Sequence, residues 1–206
     1  MKRVQLIAAD QDLMSRFVSK QDRSAFEELV RRWDRPILAF LIKACGSPED
    51  AQDMRQEVFL RLYRYGATYN PRSAFSTWLF RIAVNVMKTW KAKKGNLQSE
   101  SEPLDGLDSS PVLMDLSPNP RERAGEAELE HQTQSAMARL SIEERQLLFL
   151  RLNQELSYRQ IAEIEGAPET TIKSRFYTAL ERLRKTLSAS TLAIDCGFDS
   201  RNRRSC

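Results

Sequence analysis

Thr170, Thr171, Lys173, Ser174 and Arg175 bring hydroxyls and cations together in the first turns of a predicted helix. Such groups hydrogen-bond base edges and neutralise phosphate; they make and break no covalent bonds. Just upstream, Ala162, Gly166 and Ile172 have the types and spacing of a helix-turn-helix. A small residue lets two helices cross closely, a glycine turns the chain sharply, and a buried β-branched residue closes the core with Ile161. Pro168 suits the start of the second helix, and Arg182, Arg184 and Lys185 lie at its far end, where they can meet DNA backbone. An ordinary helical hairpin with a solvated basic face would also fit this segment taken alone. In the other half of the chain, Arg81, Asn85 and Lys88 share one helical face, and Lys91, Lys93 and Lys94 follow as candidate phosphate contacts. No nucleophile with an adjacent base, metal-ligand cluster or glycine-rich phosphate loop accompanies them, so an enzyme is not expected.

The elements that must carry these residues are helices. Alanine, leucine, arginine, glutamate and glutamine dominate, glycine is scarce at seven residues in 206, and no convincing strand pattern is present. Ser24-Ala-Phe-Glu27 reads as a capping box ahead of an apolar stripe at Phe26, Val30, Trp33, Ile37 and Leu41, which Pro36 is expected to kink or interrupt. Gly46 to Asp50 combines a stop, a cap and a first-turn proline, and the next helix buries Ala51, Met54, Val58 and Leu62. After a turn-like stretch from Gly66 to Arg72, a fourth helix starts near Ser73 and places Phe75, Trp78, Leu79, Ile82 and Val86 at helical spacing. Ser141-Ile-Glu-Glu144 and Ser157-Tyr-Arg-Gln160 are two more capping boxes.

Between them, residues 95–120 lose all periodicity and carry five acidic side chains and no basic one. Residues 1–94 hold eighteen basic side chains against ten acidic, a surplus of eight that suits a polyanionic partner. The resulting expectation is an all-α protein: a helical domain over 1–94, a flexible acidic linker over 95–120, a second helical domain over 121–190 and a tail over 191–206. The three cysteines, Cys45, Cys196 and Cys206, show no paired-ligand spacing, so reduced thiols and no metal are expected. His131, the only histidine, lies in a polar stretch and is expected at the surface. Asp10 and Asp12 cut off the first apolar patch before a signal-peptide core can form, and no stretch could span a membrane, so the chain is expected in the cytoplasm with no membrane insertion.

DAQDMRQEVFLRLYR (Asp50 to Arg64) followed by SAFSTWLFRIAVNVMKTW (Ser73 to Trp90) resembles region two of the extracytoplasmic-function sigma factors of bacterial RNA polymerase. LSIEERQLLFLRLNQELSYRQIAEIEGAPETTIKSRF (Leu140 to Phe176) resembles region four, in the family's order and after a linker; the likeness spans roughly residues 10–188. It implies a dissociable specificity subunit that directs core polymerase to promoters and melts the minus-ten region, without a cofactor. By position, Asp53, Gln56 and Glu57 would contact the clamp helices of the largest polymerase subunit, and region four would meet the flap. Asn70 and Phe75 fall in the family's base-capturing loop, with Arg72, Trp78, Arg81, Asn85, Lys88 and Lys91 completing a minus-ten reader. Thr170, Thr171, Lys173, Ser174, Arg175 and Tyr177 would read the minus-thirty-five element. The resemblance also implies an anti-sigma factor as partner, and a linker that threads polymerase channels otherwise used by nucleic acid.

The sequence departs from the family's habit at two places. Thr178 and Leu180 flank Ala179 where arginines are common, and Lys88 stands where aspartate is common. The competing reading is a free-standing helix-turn-helix regulator of duplex operators, which would need no minus-ten reader.

Overall fold

The structure, a computed structural model, describes residues 2–99, 133 and 135–199. The helices are α1 (Lys2–Lys20), α2 (Arg23–Cys45), α3 (Pro48–Tyr65), α4 (Phe75–Ser99), α5 (Ile142–Leu148), α6 (Tyr158–Glu165) and α7 (Glu169–Asp199). A 3-10 turn, Gly66–Thr68, joins α3 to the loop before α4, and a π-helical turn, Phe149–Asn153, extends α5. There is no strand among the described residues.

Local chemistry accounts for most boundaries. Ser47 caps α3 by accepting from the Asp50 amide, with Pro48 in the first turn, and Gly46 ends α2 in the left-handed conformation at φ 78°. Ser141 and Ser157 form reciprocal capping boxes with Glu144 and Gln160. The cap of α2 is Asp22, not Ser24: its carboxylate accepts from the Ser24 and Ala25 amides while Arg16 of α1 donates to its other oxygen at 2.6 Å. A carboxylate two residues upstream outcompetes the serine because it also gains an ion pair. Pro36 does not interrupt α2. Leu29 on one side of it and Ile37, Phe40 and Leu41 on the other are all fully buried. Their combined burial, at about 1.5–3 kcal/mol each, outweighs the ~3 kcal/mol cost of a mid-helix proline.

The expected linker begins as helix, since α4 continues through Gly95 to Ser99; the remainder of 95–120, along with His131 and Cys206, lies outside the described residues. The expected tail at 191–206 is helical as far as Asp199, within α7.

Helices α1 to α4 form a bundle around Met14, Leu29, Phe40, Leu41, Val58, Leu62, Leu79 and Phe80. Trp33 packs edge-on against Phe75 and Phe80, and its indole N–H donates to buried Asp10, which also accepts from Arg32 at 2.6 Å. That pair of bonds ties α1 to α2. Helices α5 to α7 enclose Leu147, Leu150, Leu156, Ile161, Ile164, Ile172 and Phe176. The two groups meet: α6 lies on α4, α5 lies on α2, and the Phe40 and Phe149 rings sit 5.5 Å apart, so the described halves share one continuous apolar core.

Asp22 supplies a pH-dependent element of stability. The Ser24 hydroxyl first, then Arg16 and the Ala25 amide, hold its carboxyl down to about 2 from an ordinary value of 3.8. A carboxyl lowered on folding stabilises fully above its unfolded value and loses that contribution as pH falls through the folded one. Unfolding midpoints in urea should therefore decline from pH 3.8 to about 2 in the wild type and decline less in Asp22→Asn, which keeps a capping oxygen but cannot titrate.

Candidate nucleic-acid interface

Three surfaces carry the residues singled out from sequence. On α3, Ala51, Met54, Val58 and Leu62 are buried against the bundle, so the opposite face is turned to solvent. Asp53 and Gln56 are exposed there, and Glu57 is half-exposed with Arg61 donating to it at 2.7 Å. The same face adds two residues that sequence reading did not select: Leu60 and Tyr63 are 50% and 58% exposed. Tyr63 also packs against the Phe17 and Phe26 rings, and exposed apolar area of this size is a feature of protein-docking patches. The sequence did carry a signal for them: the helical stripe Ala51, Met54, Val58 and Leu62 marks the inner face, and Leu60 and Tyr63 fall off it.

The second surface joins the loop before α4 to the outer face of α4. Asn70 builds the loop: its side-chain oxygen accepts from the Arg72 amide at 3.0 Å and its carbonyl accepts from Ser73, while the Tyr69 hydroxyl donates to the Ser73 carbonyl. Gln11 of α1 pins the loop from outside by donating to the Pro71 carbonyl. A cleft of about 470 Å³ opens between this loop and α4, lined by Asn70, Ser73, Thr77, Trp78, Arg81 and Asn85 among others. Thr77 is 3% exposed, and its hydroxyl has no hydrogen-bond partner. An unpaired buried hydroxyl costs free energy and is available to a ligand that supplies an acceptor or donor.

Phe75 is not on this surface. It is 1% exposed, enclosed by Trp33, Tyr69 and Trp78, so its ring cannot stack on a base. It points inward because it lies on the buried stripe of α4, one turn before Leu79 and two before Ala83. Trp78, one turn later and half-buried, is the aromatic residue of this cluster that lines the cleft. Arg72, Arg81, Asn85, Lys88 and Lys91 are exposed, and the last four follow one another along the outer face of α4.

The third surface is the N-terminal part of α7. Gly166 closes α6 at φ 70°, a conformation that side chains with a Cβ seldom adopt, and the chain turns directly into Pro168 and α7. Ile161 and Ile172 are buried as the helix-turn-helix requires, and Tyr158 packs edge-on against Phe176. Thr170, Lys173, Ser174, Arg175 and Tyr177 are exposed, and Thr171 is half-buried. Lys173 pairs with Glu169 at 2.8 Å and lies over the Tyr158 ring, which aims it before any ligand arrives. Thr178 and Leu180 flank buried Ala179 and are both exposed, so the positions where the sequence departs from the resemblance do face outward.

Acidic residues that sequence reading passed over lie between these surfaces. Glu165, at the end of α6, is 3.8 Å from Lys88 of α4, and burial pushes its carboxyl up despite the nearby charges of Lys88 and Arg175. Glu143 of α5 accepts from Lys91 at 2.5 Å, and Glu163 lines the cleft that also contains Arg81 and Asn85. Among the described residues, no group of three or more His, Cys, Asp and Glu could hold a metal ion, and no helix is long and apolar enough to cross a membrane.

Comparison with known proteins gives a consistent result. Residues 29–96 match the profile of Sigma-70 region 2, and residues 130–183 match that of Sigma-70 region 4. The chain is 31% identical over 182 residues to the RNA polymerase sigma-H factor of Pseudomonas aeruginosa, covering 86% of this chain and 93% of that protein. It is 33% identical over 178 residues to the ECF RNA polymerase sigma-E factor of Escherichia coli K12, covering 84% and 92%. Among solved structures, the fold is similar to that of RpoE in complex with the anti-sigma factor NepR from Bartonella quintana, with TM-score 0.63, 24% identity and coverage of 79% of this chain and 96% of that one. It is also similar to CnrH in complex with the cytosolic domain of CnrY, with TM-score 0.61, 21% identity and coverage of 88% and 98%. The match to region 2 as well as region 4 disfavours a regulator that reads duplex operators with a helix-turn-helix alone.

Burial separates structural from ligand-facing residues in the loop and α4. Phe75→Ala should cost about 3–5 kcal/mol of stability by opening a cavity in the aromatic cluster, whereas Arg81→Ala and Asn85→Ala should each stay within about 0.5 kcal/mol of wild type. Denaturant unfolding of the three variants checks this.

Proposed function

The chain belongs to the sigma-70 family of RNA polymerase sigma factors, among its extracytoplasmic-function members, and from that premise we propose how its surfaces divide the work. Sigma factors are initiation factors, so the chain directs where transcription begins, and the chemistry of RNA synthesis belongs to the polymerase.

The outer face of α3 docks on core polymerase. Gln56 and Asp53 supply polar contacts, Glu57 a carboxylate already oriented by Arg61, and Leu60 and Tyr63 the apolar area that excludes water from them. The clamp helices of the largest subunit are the contact that the family resemblance implies for α3, and the flap is the one for region four.

The cleft between the loop and α4 receives separated minus-ten DNA. This is the observation that carries the reading: a cavity of about 470 Å³ with the unpaired Thr77 hydroxyl, the Trp78 ring and the Arg81 and Asn85 side chains at its wall. An unstacked base needs an aromatic face or an amide edge, and its strand needs cations nearby. Arg72, Lys88 and Lys91 would supply the latter. Opening duplex costs a few kcal/mol per step, and capture of the extruded base with its phosphates repays a similar amount, so binding itself does the melting. Thr170, Thr171, Lys173, Ser174, Arg175 and Tyr177 on α7 meet the minus-thirty-five duplex, where exposed Leu180 offers apolar contact in place of a phosphate-binding arginine. The solved relatives bound to NepR and to CnrY support a protein inhibitor of that class for this chain as well.

Gln56→Ala combined with Leu60→Ala should weaken binding to core polymerase by about tenfold or more, with the helical circular dichroism spectrum unchanged. Affinity equal to wild type would remove α3 from the docking surface.

Asn85→Ala combined with Arg81→Ala should leave closed-complex formation intact and slow promoter opening, read as permanganate reactivity of unpaired thymines. A premelted template should restore transcription. Wild-type opening by the folded variant would exclude the cleft as the capture site.

A further inference from the structure

A threonine on a helix commonly satisfies its hydroxyl by donating to the carbonyl one turn back. Thr89 donates to Asn85, Thr178 to Ser174 and Thr186 to Arg182, each at 3.0 Å. Thr77 does not. It lies in the first turn of α4, so the residue four places back, Ser73, precedes the helix. The Ser73 carbonyl accepts instead from the Tyr69 hydroxyl at 2.8 Å, a bond that anchors the loop. The Thr77 side chain is left on the wall of the cleft between the loop and α4, 3% exposed and with no hydrogen-bond partner among the described residues.

Depth separates Thr77 from the other polar groups of this surface. Arg72, Arg81, Asn85 and Lys88 are exposed, and their long or mobile side chains meet a strand wherever its phosphates run. Thr77 is reached only by a group that inserts into the cleft, and its β-branched side chain is stiff, so its hydroxyl is held in one place before a ligand arrives. The Trp78 ring, next in sequence, lines the same cleft, which puts an aromatic face and a fixed hydroxyl on one wall. A phosphate or sugar has no use for the ring. An unstacked base uses both, its face against the aromatic ring and its polar edge against the hydroxyl.

The geometry points to Thr77 as a specificity-determining residue: its hydroxyl hydrogen-bonds the polar edge of the captured minus-ten base and selects the base at that one position. The inference rests on the capture of a base by the cleft, proposed above, and adds to it the atom that reads the base. The physical reason is an asymmetry of cost. In the free chain the unpaired hydroxyl lowers stability, and a base whose edge matches it removes that loss. A base whose edge does not match fills the cleft, excludes water and leaves the hydroxyl unpaired, so mismatch is penalised more than a match is rewarded.

Thr77→Val removes the hydroxyl and keeps the branched shape, whereas Thr77→Ser keeps the hydroxyl and removes the methyl group. Holoenzyme assembled from core polymerase and each full chain transcribes a pool of templates in which a promoter used by the wild type is randomised through its minus-ten region. A barcode in each transcript identifies its template and yields base preference position by position. Reading by Thr77 requires the valine variant to flatten the preference at one minus-ten position by about threefold or more, as expected for the loss of one hydrogen bond. The other positions, and the whole serine profile, should match wild type. The valine chain alone should also unfold at a temperature no lower than wild type, because the hydroxyl it lacks bonds to nothing in the fold.

An unchanged profile in Thr77→Val overturns the assignment and leaves the hydroxyl to a bound water. A lower unfolding temperature with preference lost evenly at all positions overturns it too, since Thr77 is then structural. The opening assay on the Arg81/Asn85 variant distinguishes the two levels. Wild-type opening there sinks the cleft as the capture site, whereas slowed opening there beside an unchanged Thr77→Val profile sinks only the reading by Thr77.

Discussion

Burial of the inner stripe of α4 is the constraint on which the rest of the structure depends. Phe75, Leu79, Phe80, Ala83, Val84, Val86 and Met87 are all withdrawn from water, and no single neighbouring helix is wide enough to cover them. Helix α3 and the middle of α2 cover one side, α1 touches the start, and α6 covers the remainder. Because the inner stripe fixes the rotation of α4 about its axis, it also fixes the outer face. Arg81, Asn85, Lys88 and Lys91 face outward as a set because the residues between them cannot.

The same logic explains the division between stability and recognition. Trp33 and Phe75 are aromatic residues in a protein that meets nucleic acid, yet their rings hold α2 and α4 together and Trp33 holds α1 through Asp10. The residues proposed for recognition are mostly polar, and two left-handed glycines, Gly46 and Gly166, help set where their helices begin. In region four, the Ser157 capping box, Gly166 and Pro168 define where α6 ends and α7 begins to within a residue. The exposed side chains at the start of α7 are thereby placed by backbone rules that operate over only a few residues.

Contacts between the two halves follow from charge as well as shape. The N-terminal half has a basic surplus, and α5 and α6 present acids toward it through the Glu143–Lys91 and Glu165–Lys88 pairs.

Sequence alone determined the helical class, the caps at Ser47, Ser141 and Ser157, the helix-turn-helix with its Ala162, Gly166 and Ile172, and the family to which both halves belong. These depend on interactions among residues close in the chain, or on two motifs whose order is itself information. Asp22 displaced Ser24 as a cap because Arg16, across a turn, contributes to it, and α2 runs through Pro36 because distant helices bury both of its sides. Phe75 belonged to the base-capturing loop by position in sequence, and only the packing of Trp33, Tyr69 and Trp78 around it decided that it is core. The pairing of Glu143 with Lys91 and of Glu165 with Lys88 joins residues more than fifty positions apart, and nothing local specifies it. Short-range hydrogen bonding and periodicity can be read from a chain in order, whereas which face of α4 is covered, and by what, exists only once the helices have packed.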